Sequence, residues 1–539
     1  GALTVTGIAD GNETAALTAY TTAKTGASTV TLTSDGAWSV SAANLTTALA
    51  AGVRFAGTLT VTAIANGDET AALTAFTKTT TGATTVTLTA SDTNWSVTGA
   101  ALTTALADGV FLLGTLSVTD IANGNETTAL TAFTNALTGA TSITLAASDT
   151  NWSVTGAALT TALGKGMFLA GTLSVTDIAS DDETAALAAY TTTTTGATSV
   201  TLTASDGTWS VATADLATAL AAGVRFAGAL TVTGIADGNE TAALTAYTTA
   251  KTGASTVTLT SDGAWSVSAA NLTTALAAGV RFAGTLTVTA IANGDETAAL
   301  TAFTATTTGA TNVTLTATDN VWSVAAATLD TALAANVRLA GDLTVTGIST
   351  ETDASTKYSK TATGASNVTL TASDGTWSAA VSALNTDLGN DIKYAGALTV
   401  TGITDKAAAL TDYTTTKTGA TTNTLTADGN WSLAVATLDA ALTAGVRLAG
   451  ALTVTGITSG SETGALTAYT TAKTGATTNT LTAADDGAWS IAASDLTTAL
   501  AAGVRFAGTL TVTAIANGDE TAALTAFTAT TTGATNVTL

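Results

Sequence analysis

The chain contains no cysteine, no histidine and no proline, and its one methionine is Met167. Without Cys or His it has no thiolate nucleophile, no imidazole base, no zinc or haem site and no disulfide. Oxygen-ligated calcium is the one common metal still open. Positive charge is scarce as well. The 16 Lys and Arg face 39 Asp and Glu, a net charge of −23. A nucleic-acid binder needs the opposite sign to release counterions from phosphate, and an anionic membrane surface repels such a chain. An acidic, Lys-poor, Thr-rich surface suits a saline medium, so an extracellular or cell-surface location is expected. No apolar run reaches membrane-spanning length and no signal peptide is evident, so no direct membrane insertion is expected.

What the chain has in abundance is repetition. Gly228–Ala283 copies Gly1–Ala56 letter for letter. The repeats cover 1–56, 57–113, 114–170, 171–227, 228–283, 284–340, 341–395, 396–449 and 450–507, with a partial one at 508–539. Each complete repeat holds one tryptophan, from Trp38 and Trp95 through to Trp489. No Pro- or Ser-rich linker separates neighbours, so 1–539 reads as one continuous array rather than a string of independent domains. A longer period recurs every four repeats: Gly508–Leu539 matches Gly284–Leu315 completely. The chain opens at a repeat boundary and stops within a repeat, so it is expected to be a slice of a longer protein.

Each repeat divides into two similar halves. Both begin with Gly and an alternating Thr/aliphatic strand, with Leu3 and Val5 on one side and Thr4 and Thr6 on the other. The next segment predicts a helix. Asp10 and Glu13 have capping-box spacing, which returns at Asn66/Glu69 and Ser180/Glu183, and Gly26 is placed to stop the helix. In the second half, TVTLTSDGAWSV predicts a hairpin turning at Asp35-Gly36, with Trp38 and Val40 inward. Ser41 is placed to cap a second helix carrying Leu45 and Leu49, and Val53-Arg54-Phe55 leads into the next repeat. Repeats seven and eight depart most. Repeat seven has STETDASTKYSK in the first-helix region and Asn390-Asp391-Ile392-Lys393 in place of AGVR, and repeat eight shortens the first loop to TDKAAALTDY.

The halves LTVTGIADGNETAALTAY and STVTLTSDGAWSVSAANLTTAL resemble repeats of very large bacterial surface and secreted proteins, which often accompany RTX-type calcium repeats. DGTWSVATADL, Asp206 to Leu216, is similar to a segment of bacterial Ig-like adhesin repeats. The first resemblance implies an adhesin-like or surface-layer setting, and the second implies tandem small β-sandwich beads.

Several residue classes are candidates for function. The acidic turns cluster oxygen donors for calcium at Asp10, Glu13, Asp68, Glu69, Asp181, Asp182, Glu183, Asp485 and Asp486. Each offers about three of the six or more oxygens a hard cation takes. Capping alone also accounts for their spacing. The tryptophans suit either a glycan-stacking platform or a core filler. Arg54, Arg225, Arg281, Arg338, Arg447 and Arg505 form a row, with Lys393 standing in, for which carboxylate partners are expected. Outward Thr-x-Thr pairs such as Thr60/Thr62 resemble the Thr arrays of ice-binding solenoids, and also suit any wet sheet face. No singular acid–base constellation appears, so no enzyme is expected. Repeat seven is the one candidate for a site that breaks the pattern, and its Lys357, Tyr358 and Lys360 read as loop variation.

The expected fold is an elongated α/β solenoid with two strand–turn–helix rungs per repeat, each a strand in a continuing parallel sheet backed by a short helix, roughly 90 Å long at ~4.8 Å per rung. The alternative is tandem Ig-like beads. The expected function is structural: a self-associating segment of a surface filament, surface layer or adhesin stalk. The alternative is a ligand-binding ladder for calcium, glycan or ice.

Overall fold

The computed structural model describes residues 1–484 and 487–539. They form two compact bodies: Gly1–Gly263 with Asn271–Ala283, and Ala264–Ala270 with Gly284–Leu539. Both are α/β. The first body holds a three-stranded sheet and a ten-stranded sheet; the second holds sheets of eight, four and three strands. In the ten-stranded sheet the spatial order follows the chain order, from Trp38–Ser41 at one edge to Val280–Phe282 at the other. Among the described residues every strand pairing is parallel. Parallel neighbours need crossover connections, and the helices supply them. An Ig-like sandwich is built from antiparallel pairs, so these sheets do not fit the bead alternative.

The expected hairpin does not form. Thr85–Thr98 is a single strand of 14 residues lying beside the 12-residue strand Val110–Ile121. Val86–Thr89 pair with Val110–Leu113, and Asn94–Thr98 pair with Thr115–Thr119. The four residues 90–93 therefore face the single residue Gly114, and the chain bulges and continues in the same direction. A tight reversal of the commonest type needs two successive residues at positive φ. Only Thr93 has that conformation here, at φ 63, while Asp92 Oδ1 accepts the Asn94 N–H at 2.9 Å. The Asp-Gly signal marks a sidestep.

That sidestep explains the glycine that opens six of the repeats, while Gly57, Gly284 and Gly450 have open space where a Cβ would sit. Gly114 sits at φ +121, and a Cβ there would lie 2.1 Å from the Thr93 carbonyl oxygen. Gly171, Gly228, Gly341, Gly396 and Gly508 meet the carbonyl of their own sidestep in the same way. Only a residue without Cβ permits so close an approach.

The strands bury one face and expose the other. Val86, Leu88, Trp95 and Val97 are buried, while Thr87 and Ser96 face outward. Buried side chains align across strands: Trp38 with Leu59, Leu59 with Val86, and Val86 with Val110. The helices Glu69–Ala75 and Gly99–Ala107 pack on this face and on each other, leaving Thr60, Thr87 and their counterparts on the open side.

The first helical segment is divided. Glu13–Ala19 and the one-turn helix Thr22–Thr25 are separate, and Gly26, at φ +66, stops the second of them. The expected Asp10/Glu13 capping box is absent. Asn12 is the N-cap residue and makes no side-chain cap bond, while Glu13 reaches back to accept the Gly11 N–H at 2.8 Å. Capping boxes occur instead on the one-turn helices, at Thr77/Thr80, Thr191/Thr194 and Thr304/Thr307. Ser41 caps Ala42–Ala50 as expected, accepting from the Asn44 N–H.

Candidate functional site

The tryptophans belong to the core. Trp38 is 0 % exposed and Trp377, the most exposed of the nine, is 4 %. Trp95 Nε1 donates to the Leu113 carbonyl at 3.1 Å, and the Trp38 ring meets Phe55 edge-on at 5.1 Å. No ring face is left for a sugar to stack on. The arginine row also departs from expectation. Arg54 Nη1 donates to the carbonyls of Val53 at 2.9 Å and Leu49 at 3.4 Å, and Arg225, Arg281, Arg338, Arg447 and Arg505 repeat the pattern. The guanidinium adds a second donor to the helix-end Leu49 carbonyl, which also accepts the Gly52 N–H, and lies at the negative end of the preceding helix rather than on a carboxylate.

The acidic turns are likewise occupied with backbone work. Asp10 lies against the next turn, where a Cβ on Gly36 would come within 2.1 Å of its carboxylate oxygen. Glu69 accepts the Gly67 N–H at 2.7 Å, and Asp68 is the N-cap residue beside it. Asp181 and Asp182 form a short 3-10 turn, while Glu183 reaches across to the Ser210 N–H at 3.1 Å. Asp485 and Asp486 lie outside the described residues. Among the described residues no three Asp or Glu side chains gather around a common point. Glu13, Glu69 and Glu183 each accept from a separate backbone N–H.

One location breaks the repeat in three dimensions. Where the other repeats place Leu17, Ala48 and Phe55 or their apolar equivalents, repeat seven has Ser355, Asp387 and Tyr394. The Tyr394 hydroxyl donates to the Asp387 carboxylate, and Asp387 is 7 % exposed. Burial, then this carboxylate, raises the Tyr394 hydroxyl above the ordinary phenol range, so the tyrosine remains a donor. Leu17 is 3 % exposed in repeat one, whereas Ser355 leaves a gap between the two helices. The resulting cleft is about 400 Å³, lined by Ser355, Ser359, Lys360, Thr386, Asp387 and Asn390 among others. The same groove measures about 280 Å³ in repeat one and about 200 Å³ in repeat nine.

Lys360 Nζ closes one side of the cleft with an ion pair to Asp391 at 2.5 Å. The other two lysine-loop residues turn away. Lys357 Nζ and the Tyr358 hydroxyl bind the two oxygens of Asp330, at 2.7 and 2.8 Å, on the helix of the preceding repeat. The residue-level signal for Asp387 was present in the repeats themselves, since the eight equivalent positions are all alanine. What hid it was an intact helix pattern around it. Comparison with known proteins returns no matching family model, no matching curated protein and no matching solved structure.

Proposed function

We propose that this chain is a structural repeat segment of an extracellular filament, surface layer or adhesin stalk, built as a continuous α/β solenoid and acting without catalysis. One observation carries the reading. Each repeat presents to the next the same complementary surface, with Trp95 on Leu116, Trp152 on Leu173 and Trp209 on Leu230 in identical register. Such an arrangement extends by addition of like units, and stability grows as a sum of neighbour terms. The acidic surface suits an exposed, saline setting. No helix among the described residues is long and apolar enough to cross a membrane. The partner on this reading is a second copy of the same chain.

Electron microscopy with light scattering on the purified chain tests this. Uniform rods that lengthen with concentration are the expected result. Flexible beads would overturn it, while a strict monomer at all concentrations would remove the filament and leave the stalk.

A further inference from the structure

We propose that the repeat-seven cleft is a binding site for a neutral or amino hexose. The starting point is that the substitutions there are coordinated. Ser355, Asp387 and Tyr394 replace apolar residues, and Asn390, Asp391 and Lys360 replace Ala51, Gly52 and Thr22 of repeat one. All but Tyr394 line one cavity, and Tyr394 stands behind Asp387 and holds it. A purely scaffolding role requires none of them, since the sister repeats pack the same groove with leucine and alanine and leave it smaller.

The lining sets the ligand chemistry. Ser355, Thr356 and Thr361 offer hydroxyls that donate or accept; the Ser359 hydroxyl, which accepts the Ala362 N–H, can still donate; the Thr386 hydroxyl, which donates to the Ser382 carbonyl, can still accept; and Asn390 offers an amide that does both. Lys360 and Asp391 neutralise each other. Asp387 remains as the one carboxylate without a cationic partner, held in place by Tyr394. A site of net negative charge rejects phosphate, uronate and other anions. It accepts a compact molecule bearing several hydroxyls, with a carboxylate to receive hydrogen bonds from adjacent hydroxyls or an amine. About 400 Å³ falls in the size range of small-ligand sites and accommodates one to two sugar rings.

The site differs from a ladder because it occurs once. The equivalent groove in repeat one is lined by Leu17 and Ala48, and in repeat nine by Leu466 and Ala499. The structure thus combines a repetitive scaffold with one polar-lined cleft of this kind, in repeat seven.

The test is saturation-transfer NMR and calorimetry on the full chain with glucose, galactose, N-acetylglucosamine and glucosamine, and glucuronate as the anionic control. Saturable binding of at least one of the first four, and none of glucuronate, is expected. Ser355→Leu refills the cleft as in the sister repeats and leaves the Tyr394–Asp387 bond intact, so it should fold normally and weaken binding at least tenfold. The triple change Ser355→Leu, Asp387→Ala, Tyr394→Phe restores sister-type apolar residues at all three positions and should abolish binding. No saturable signal with any of the four sugars overturns the proposal. Binding unchanged in both variants overturns it too, by placing the sugar elsewhere.

Discussion

The Tyr469 hydroxyl donates to Asp439 Oδ1 at 2.8 Å, joining the end of one repeat's first helix to the second helix of the repeat before it. The same link recurs as Tyr358 to Asp330, Tyr413 to Asn385 and Tyr190 to Thr160. Where phenylalanine takes the tyrosine position, as at Phe76, the preceding repeat supplies Thr46 and no such bond. The link is therefore an addition to an interface that apolar packing already makes. Tyr469→Phe is expected to cost about 1–2 kcal/mol, the range for a bond to a charged acceptor that is partly wet. Hydrogen exchange should locate the loss in Glu462–Ala468 and Val435–Thr443, with distant repeats unchanged.

These tyrosines also set an alkaline limit. Burial, then the Asp439 carboxylate, raises the Tyr469 hydroxyl above its ordinary value, and Tyr358 is raised in the same way by burial and then Asp330. The folded chain keeps protons that the unfolded chain releases from about pH 10 upward. Their stabilisation is full below that pH and is lost as pH rises toward the folded values. Urea melts from about pH 8 to 11.5 should show falling stability above pH ~10, and the double variant Tyr358→Phe, Tyr469→Phe should show a shallower fall.

Gly114→Ala is expected to be far more damaging than Gly207→Ala. Gly114 has φ +121 with a carbonyl oxygen 2.1 Å from the added Cβ, so the sidestep must move and the cost is at least about 3 kcal/mol. Gly207 has φ +76 with open space around it, and Thr93 and Thr150 already occupy its position in other repeats. Its replacement should cost about 1 kcal/mol. Paired thermal melts of the two variants check the ranking.

Trp95→Ala removes a ring that is 1 % exposed and aligned with Leu116. A loss of about 3–5 kcal/mol is expected. Intrinsic fluorescence should show blue-shifted emission from the intact chain, and local exchange should rise first in Thr85–Thr98.

Lys360 and Asp391 should prove coupled. In repeat one the equivalent pair is Thr22 and Gly52, and a Cβ on Gly52 would lie 2.4 Å from Thr22 Cγ2. Lys360→Thr alone brings that conflict to Asp391 and should destabilise the chain, whereas Lys360→Thr with Asp391→Gly should return close to the parent. As an exposed ion pair the two contribute about 0–1 kcal/mol, so a larger coupling in a double-mutant cycle measures the steric conflict.

Much of the local structure was legible in the residues. The Thr/aliphatic alternation identified the strands and their inward faces, because a pleated strand turns successive side chains to opposite sides. One tryptophan per repeat among leucines marked the core. The parallel sheet was legible too, from strands alternating with helices, but the path of the chain at the Asp-Gly turn was not. Asp35-Gly36 suits either a hairpin turn or a sidestep, and the choice rests on where the neighbouring strand lies. The Asp10/Glu13 spacing fits a capping box, yet the helix starts at Glu13, so the carboxylate serves Gly11 instead. The arginine row pointed to carboxylates, but helix-end carbonyls were nearer. In repeat seven Lys357, Tyr358 and Lys360 were visible as a departure, while Asp387 and Tyr394 were not, since they fit the strand and helix patterns around them.

The sequence by itself determined the repeat, its strands and helices, the acidic surface without sulfur or imidazole chemistry, and which side chains turn inward. These follow from composition and from periodicities that each segment carries within itself. The tertiary structure decided that the chain continues in the same direction past the Asp-Gly turn, that Gly114 and its five counterparts must face a sidestep, and that Ser355, Asp387 and Lys360 share one cleft. Those outcomes depend on contacts between residues about 20 to 30 positions apart, where the path of the chain, rather than local preference, chooses the partner.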